Sequence, residues 1–173
     1  MRITLLFLGL LFCFASYSQN SINITEIEKE YELGIALFED EKHEEAFAKF
    51  SEAFKLSKSI DNPKLIGHGY YNLSKYYLSQ NEYIQAIDAI NEAIGIFESL
   101  NLSLELSDSY FQLGAIHGKI SNFEEALIYY FKALRLKEQL KDEVGVAFIL
   151  NKIGNIYLYI PKLDKAEENY KRA

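Results

Sequence analysis

The chain has 173 residues, 49% of them hydrophobic and 25% charged, which is room for one domain or one short array with a core of its own. The formal charge of −7 and a pI near 5.1 exclude a general nucleic-acid binder, since neutralising phosphates takes a basic face. Two prolines and nine glycines suit long helices joined by short turns. The N-terminus reads Met-Arg-Ile-Thr, then an apolar run to Phe14, then Ala15-Ser16-Tyr17-Ser18. This has the form of a secretory signal peptide over residues 1–18, cleaved after Ser18. The run from Ile3 to Phe14 is shorter than the ~20 residues a spanning helix requires, so a transmembrane anchor is the weaker reading. Cys13, the one cysteine, lies inside this segment. The bulky Phe12 before it argues against lipidation, and the mature chain has no disulfide or thiol chemistry. Residues 19–25 form a flexible lead.

From residue 26 onward the chain repeats itself every forty residues. Leu33, Leu73, Leu113 and Ile153 share one column, and Gly34, Ser74, Gly114 and Gly154 the next. Ala46, Ala86, Ala126 and Ala166 form a third, Phe50, Ile90, Tyr130 and Tyr170 a fourth, and Ala53, Ala93, Ala133 and Ala173 a fifth. The units are about 26–65, 66–105, 106–145 and 146–173. Each predicts two amphipathic helices, because apolar residues recur at steps of three and four: Tyr110, Leu113, Gly114 and His117 in one, Ala126, Tyr130, Ala133 and Leu134 in the next. The first helices are expected near 26–40, 66–80, 106–120 and 146–160, and the second near 43–57, 83–98, 123–138 and 163–173. Thr25-x-x-Glu28 and Ser121-x-x-Glu124 fit capping boxes. Asn62-Pro63 and Ile160-Pro161 place proline where a first turn tolerates its missing N–H. The glycine of each first helix is expected to face the alanine of the second, where two backbones approach closely. One hairpin cannot bury its apolar face alone; stacked neighbours do so together.

The residues Tyr110-x-x-Leu113-Gly114-x-x-His117 with Ala126, Tyr130 and Ala133 resemble a tetratricopeptide repeat. So do Leu150-x-x-Ile153-Gly154-x-x-Tyr157 with Ala166, Tyr170 and Ala173. In the first unit Glu30 stands where that family prefers a large apolar residue, as suits a terminal unit facing water. The resemblance spans residues 26–173 and implies an all-α fold, a right-handed α-solenoid of four stacked helix-turn-helix units. The usual unit is 34 residues; the forty-residue form is similar to arrays in kinesin light chains and spindle-orientation adaptors. It is also similar to exported bacterial arrays that precede a histidine-kinase or helix-turn-helix output domain. The last helix lacks a glycine cap or a polar closing helix, so a fragment of a longer protein is expected, or else a second copy or another chain covering that C-terminal face.

In that family the first helices line a concave groove for peptides or helices. The resemblance places Tyr31, Tyr71, Phe111 and Asn151 at one level, Ile35, Lys75, Ala115 and Asn155 at the next, and Phe38, Leu78, Gly118 and Leu158 at a third. The aromatic rings of the first level either anchor a partner or complete packing between repeats. A subgroup of the family clamps a C-terminal carboxylate with lysine at the first level and asparagine at the second. Here only Lys75 and Asn155 remain of such a set, so the groove reads as aromatic with a few polar anchors. Tyr129, Tyr130 and Phe131 are assigned to the core and the outer surface of the second helices.

Catalytic patterns are absent from the sequence. His43, His68 and His117 occupy unrelated repeat positions without the i, i+4 spacing of a helical zinc site, and Gly67-His68-Gly69 lacks the rest of a phosphate loop. Glu44-Glu45, Glu124-Glu125 and Glu167-Glu168 sit at helix starts, where they complement the helix dipole. Asn23, Asn72 and Asn101 head glycosylation patterns, and Asn72 falls inside a helix. The reading is therefore a non-enzymatic, exported scaffold without cofactor or metal, periplasmic or secreted, that binds a protein or peptide. It has no direct nucleic-acid role and no membrane span within residues 19–173. The alternative is the sensory front of a bacterial signalling protein.

Overall fold

The computed structural model describes residues 23–160 and 169–173. The expected signal peptide, most of the lead, Pro161 and Ala166 lie outside the described residues. Seven full helices follow one another: α1 Ile24–Glu39, α2 His43–Ser59, α3 Pro63–Ser79, α4 Tyr83–Ser99, α5 Ser103–Lys119, α6 Phe123–Leu140 and α7 Glu143–Tyr159. Residues 169–172 are helical, and the described residues contain no strand. The pairs α1–α2, α3–α4 and α5–α6 close as hairpins, and each second helix packs on the next first helix. The first helices also touch one another, α1 with α3 and α3 with α5. This is the stacked helical solenoid expected, with the first helices forming one continuous face.

The second helices α2, α4 and α6 start where the periodicity places them, the expected start of the fourth lying outside the described residues, whereas α3, α5 and α7 start three residues early. For α3 and α7 the cause is a polar cap upstream of the apolar stripe. The Asn62 side chain accepts from the Leu65 N–H at 3.1 Å, and Asp142 from Gly145 N–H at 2.9 Å. Pro63 then occupies the first turn as expected. Both expected capping boxes are corrected. Asn23, not Thr25, caps α1, accepting the Thr25 N–H at 3.0 Å. Ser121 is not a cap but a left-handed turn residue with φ 61°, and Asn122 takes the N-cap position of α6.

Ser121 belongs to a shorter period hidden inside the forty. Glu41, Asp61, Asn81, Asn101, Ser121 and Lys141 all have positive φ, from 50° to 61°. They stand twenty residues apart, one in each turn between α1 and α7. Around each, two backbone bonds satisfy the helix end: Glu41 N–H to Phe38 C=O and Lys42 N–H to Leu37 C=O, and likewise Asn81 to Leu78 and Glu82 to Tyr77. This is the Schellman arrangement, built here without the glycine that usually occupies its left-handed position.

The small-residue column also differs in detail from the expectation. The nearest partner of Gly34, Gly114 and Gly154 is the aromatic ring of the second helix, with the expected alanine beside it at Gly114, where a Cβ would stand 3.2 Å from the Ala126 carbonyl oxygen. A Cβ on Gly34 would meet the Phe50 ring at 2.5 Å, on Gly114 the Tyr130 ring at 2.8 Å, and on Gly154 the Tyr170 ring at 2.7 Å. Where the second helix carries Ile90 instead of a ring, the first helix carries Ser74, fully buried with its hydroxyl donating to Tyr71 C=O at 2.8 Å. Size is traded between the two columns, so each hairpin stays filled at interior density. The same trade recurs elsewhere, since the missing side chain of Gly67 leaves the space that Phe97 fills.

Candidate partner-binding groove

Three hollows lie in file along the face formed by α1, α3, α5 and α7. The first, about 320 Å³, is bounded by Phe38, Lys75, Leu78, Gln112 and Lys119. The second, about 330 Å³, is bounded by Tyr71, Asp108, Phe111, Val144 and Phe148. The third, about 560 Å³, is bounded by Phe111, Ala115, Gly118, Phe148, Lys152 and Tyr159. Phe111 and Phe148 are shared by the second and third hollows, and Lys119 by the first and third. The three therefore form one groove.

The predicted site residues fall into this frame unevenly. Tyr31 is removed from it. It is 5% exposed, and its hydroxyl donates to Leu65 C=O at 3.0 Å and lies 3.3 Å from Ser57 Oγ. It inserts because Gly69 and Ser57 leave room: a Cβ on Gly69 would come within 2.6 Å of the Tyr31 hydroxyl. One unit later those positions hold Ser109 and Phe97, and Tyr71 stays half-buried in the groove wall. The first-level ring of unit one is thus packing between repeats, while Tyr71 and Phe111 line the groove. Burial pushes the phenols of Tyr31 and Tyr71 up to about 12, with the Asp108 charge adding to the effect at Tyr71.

Lys75 is half-buried with its ammonium 5.1 Å from the centre of the Phe38 ring. Burial lowers its pKa, and the charge of Glu39 offsets part of that. Asn151 is exposed and accepts a hydrogen bond from Asn155 Nδ2 at 3.3 Å, outside the three hollows. Asn155 borders the third hollow and accepts from the Tyr170 hydroxyl at 2.7 Å.

Phe148, Lys119, Lys152 and Tyr159 were not anticipated. Their forty-residue columns mix chemistry, since the position of Phe148 is His68 and Asp108 in earlier units. The signal that finds Phe148, Lys152 and Tyr159 is the stripe within α7 itself, Phe148, Lys152, Asn155 and Tyr159, at steps of four, three and four; Lys119, the last residue of α5, has no such signal. Beneath the second hollow, Lys137 joins three helices through ion pairs to Asp108 at 2.9 Å and Asp142 at 3.1 Å. Burial works against the Lys137 charge, but the two carboxylates outweigh it and raise its pKa.

The histidines pack against rings: His43 on Phe38, His68 on Phe97, and His117 stacked on Tyr129. Burial lowers the pKa of His68 and His117, which favours their neutral form at pH 7. No group of three metal-ligating side chains occurs among the described residues, and no described helix is long and apolar enough to cross a membrane. Asn72 is 3% exposed, closed to a glycan.

Family profiles described as tetratricopeptide repeat match residues 26–99 and 107–140, together more than half of the chain. Tetratricopeptide repeat protein 29 of Homo sapiens is 27% identical over 154 residues, covering 84% of this chain and 32% of its own. Among solved structures, BtubC (BKLC) from P. vanneervenii superposes with a TM-score of 0.74 at 22% identity, over 84% of this chain and 60% of that one. The Rap conjugation gene regulator of plasmid pLS20, solved in complex with the Phr* peptide, gives 0.71 at 15% identity, over 84% and 41%. The chain thus spans about a third of the human relative. The structural likenesses establish a shared fold.

Proposed function

We propose that this chain, which belongs to the tetratricopeptide-repeat family, is a non-catalytic scaffold that holds a protein or peptide segment along the face of its first helices. The family and its fold support a protein-interaction role; the groove narrows that role to an extended segment. The observation that carries the reading is the continuity of the three hollows through Phe111, Phe148 and Lys119. A row of partly exposed rings and lysines on rigid helices is what an extended peptide needs for anchoring. The Rap regulator captured with a peptide is a relative in fold that binds the same class of partner. Export is part of the proposal and rests on the N-terminal sequence alone.

The test uses a displayed random-dodecapeptide library selected on the chain. Photoreactive residues are then placed at Lys75, at Phe148 and at Gly95. Gly95 is exposed on α4, and a Cβ there meets nothing within 4 Å. Selected peptides should cross-link from positions 75 and 148 and not from 95. Cross-links from 95 as strong as from 148 would defeat the groove.

A further inference from the structure

The third hollow exists because one unit breaks the pattern of the others. At the second level of the groove the units carry Ile35, Lys75, Ala115 and Asn155, and at the third Phe38, Leu78, Gly118 and Leu158. Unit three has the smallest residue of both columns. In the hairpins a small residue is matched by a larger one that fills the space, as Gly34 is by Phe50. Gly118 has no such filler: a Cβ there would stand 3.6 Å from Ile156 Cδ1 and 4.0 Å from the Tyr130 hydroxyl, ordinary contact with the floor of an open space.

Around that space stand two ring pairs. Phe111 and Phe148 have centroids 5.2 Å apart, and Phe123 and Tyr159 lie 5.4 Å apart and nearly parallel, at 10°. Phe148 is 53% and Tyr159 73% exposed, a large apolar area left in water. At the rim, Lys119 borders the hollow, and the Lys152 ammonium sits 5.0 Å from the centre of the Phe148 ring. No carboxylate of the described residues is ion-paired to Lys119, Lys152 or Lys75. Asp108, in the wall of the second hollow, is engaged by Lys137. In a chain of net charge −7, Lys75, Lys119 and Lys152 thus stand along one groove without an ion pair to any carboxylate of the described residues, Lys75 and Lys152 resting on the rings of Phe38 and Phe148.

We propose that this hollow is a socket for one aromatic side chain of a bound peptide, with an adjacent Asp or Glu of that peptide paired to Lys119 and Lys152. The proposal rests on the groove reading above and adds the chemistry of its partner. A guest ring gains offset and edge contacts with four host rings while removing them from water. The neighbouring carboxylate meets two ammonium groups held against an apolar wall, where charge pairing is stronger than at an open surface.

The experiment repeats the dodecapeptide selection on the full chain and measures each selected peptide against Gly118→Leu. A Cβ at position 118 comes no nearer than 3.6 Å to a neighbouring side chain and leucine favours a helix over glycine, so the melting temperature should not fall. If it does fall, Ala115→Leu fills the same space from the next turn back. We expect the selected peptides to share an aromatic residue beside Asp or Glu. Their affinity should drop about tenfold or more in the filled variant, and similarly in Lys119→Glu/Lys152→Glu. Peptides without an aromatic, or wild-type affinity in Gly118→Leu, would overturn the socket while cross-links from positions 75 and 148 kept the groove. Lysine or arginine beside the aromatic would overturn the charge assignment. A library that yields no binder at all removes both proposals.

Discussion

Exchanging residues between columns tests the packing directly. In Gly114→Ser the new Cβ would lie 2.8 Å from the Tyr130 ring and 3.2 Å from the Ala126 carbonyl oxygen. The first distance is about 0.6 Å short of ordinary contact. The ring cannot simply swing away, because Tyr130 is 5% exposed and its centroid is 5.4 Å from that of Phe111. Overpacking of this kind costs about 1–3 kcal/mol. Tyr130→Ile alone empties most of a ring's volume beside a glycine and costs about 2–4 kcal/mol. The double variant recreates the Ser74–Ile90 pairing that unit two already contains. It should therefore be more stable than the sum of the single changes predicts, by about 1–3 kcal/mol. Urea unfolding followed by far-ultraviolet circular dichroism, completed as a four-member cycle, gives the coupling energy. A coupling below about 0.5 kcal/mol would show that the columns do not exchange volume and that the hairpin contact is misread.

Other outcomes follow from single features. Glu41→Gly relieves a left-handed residue at φ 61° and removes an acid from a helix C-terminus. It should raise stability by about 1 kcal/mol, seen as a higher melting temperature. Tyr31→Phe removes the hydroxyl's bond to the Leu65 carbonyl, which keeps its helical partner, and should cost about 0.5–1.5 kcal/mol in urea unfolding, with peptide affinity unchanged because the ring lies outside the groove. Asp142 is held below the usual carboxylate range, first by the Gly145 N–H and then by Lys137. The unfolded state takes up its proton first, so this stabilisation is present above the ordinary aspartate pKa and lost as the pH falls through the folded value. Asp142→Asn should flatten the acid limb of stability against pH. At the alkaline end, the phenols of Tyr31, Tyr71, Tyr110 and Tyr130 are pushed up to about 12, in each case chiefly by burial. The unfolded chain loses these protons near the ordinary pKa of 10.0, so stability should decline above it. A spectrophotometric titration should show a class of tyrosines that ionises only as the helices melt.

What could be read from the residues was whatever repeats by type. The alanine columns and the Gly34, Gly114 and Gly154 steps locate the hairpins, because each glycine leaves the space that a ring of the second helix fills. The turns escaped notice since their shared property is a backbone angle: Glu41, Asp61, Asn81, Asn101, Ser121 and Lys141 are united by φ, not by chemistry. Capping misled at Thr25 because Asn23, two residues upstream, offers its own carbonyl oxygen. In the groove, the aromatic column was visible, but which rings face a partner was not. Tyr31 and Tyr71 share a column and differ in burial through their neighbours across the stack, Gly69 and Ser57 in one case, Ser109 and Phe97 in the other. Phe148 and Lys152 lie in columns of mixed chemistry, and they emerge only once α7 is seen as one stripe.

The twenty-residue spacing of the left-handed turns has a consequence for how such a molecule can change its length. Each of the six junctions between α1 and α7 bends the chain in the same way, whether it closes a hairpin or starts the next one, whereas α7 ends on an extended Ile160 with ψ 132°. Loss or duplication of two consecutive helices therefore rejoins like with like and requires no new corner. Loss of a single helix would also find a corner that fits, but every later helix would exchange the inner wall for the outer. Gene rearrangement is thus free to vary the reach of the groove in steps of forty residues, and packing chemistry polices the half-steps.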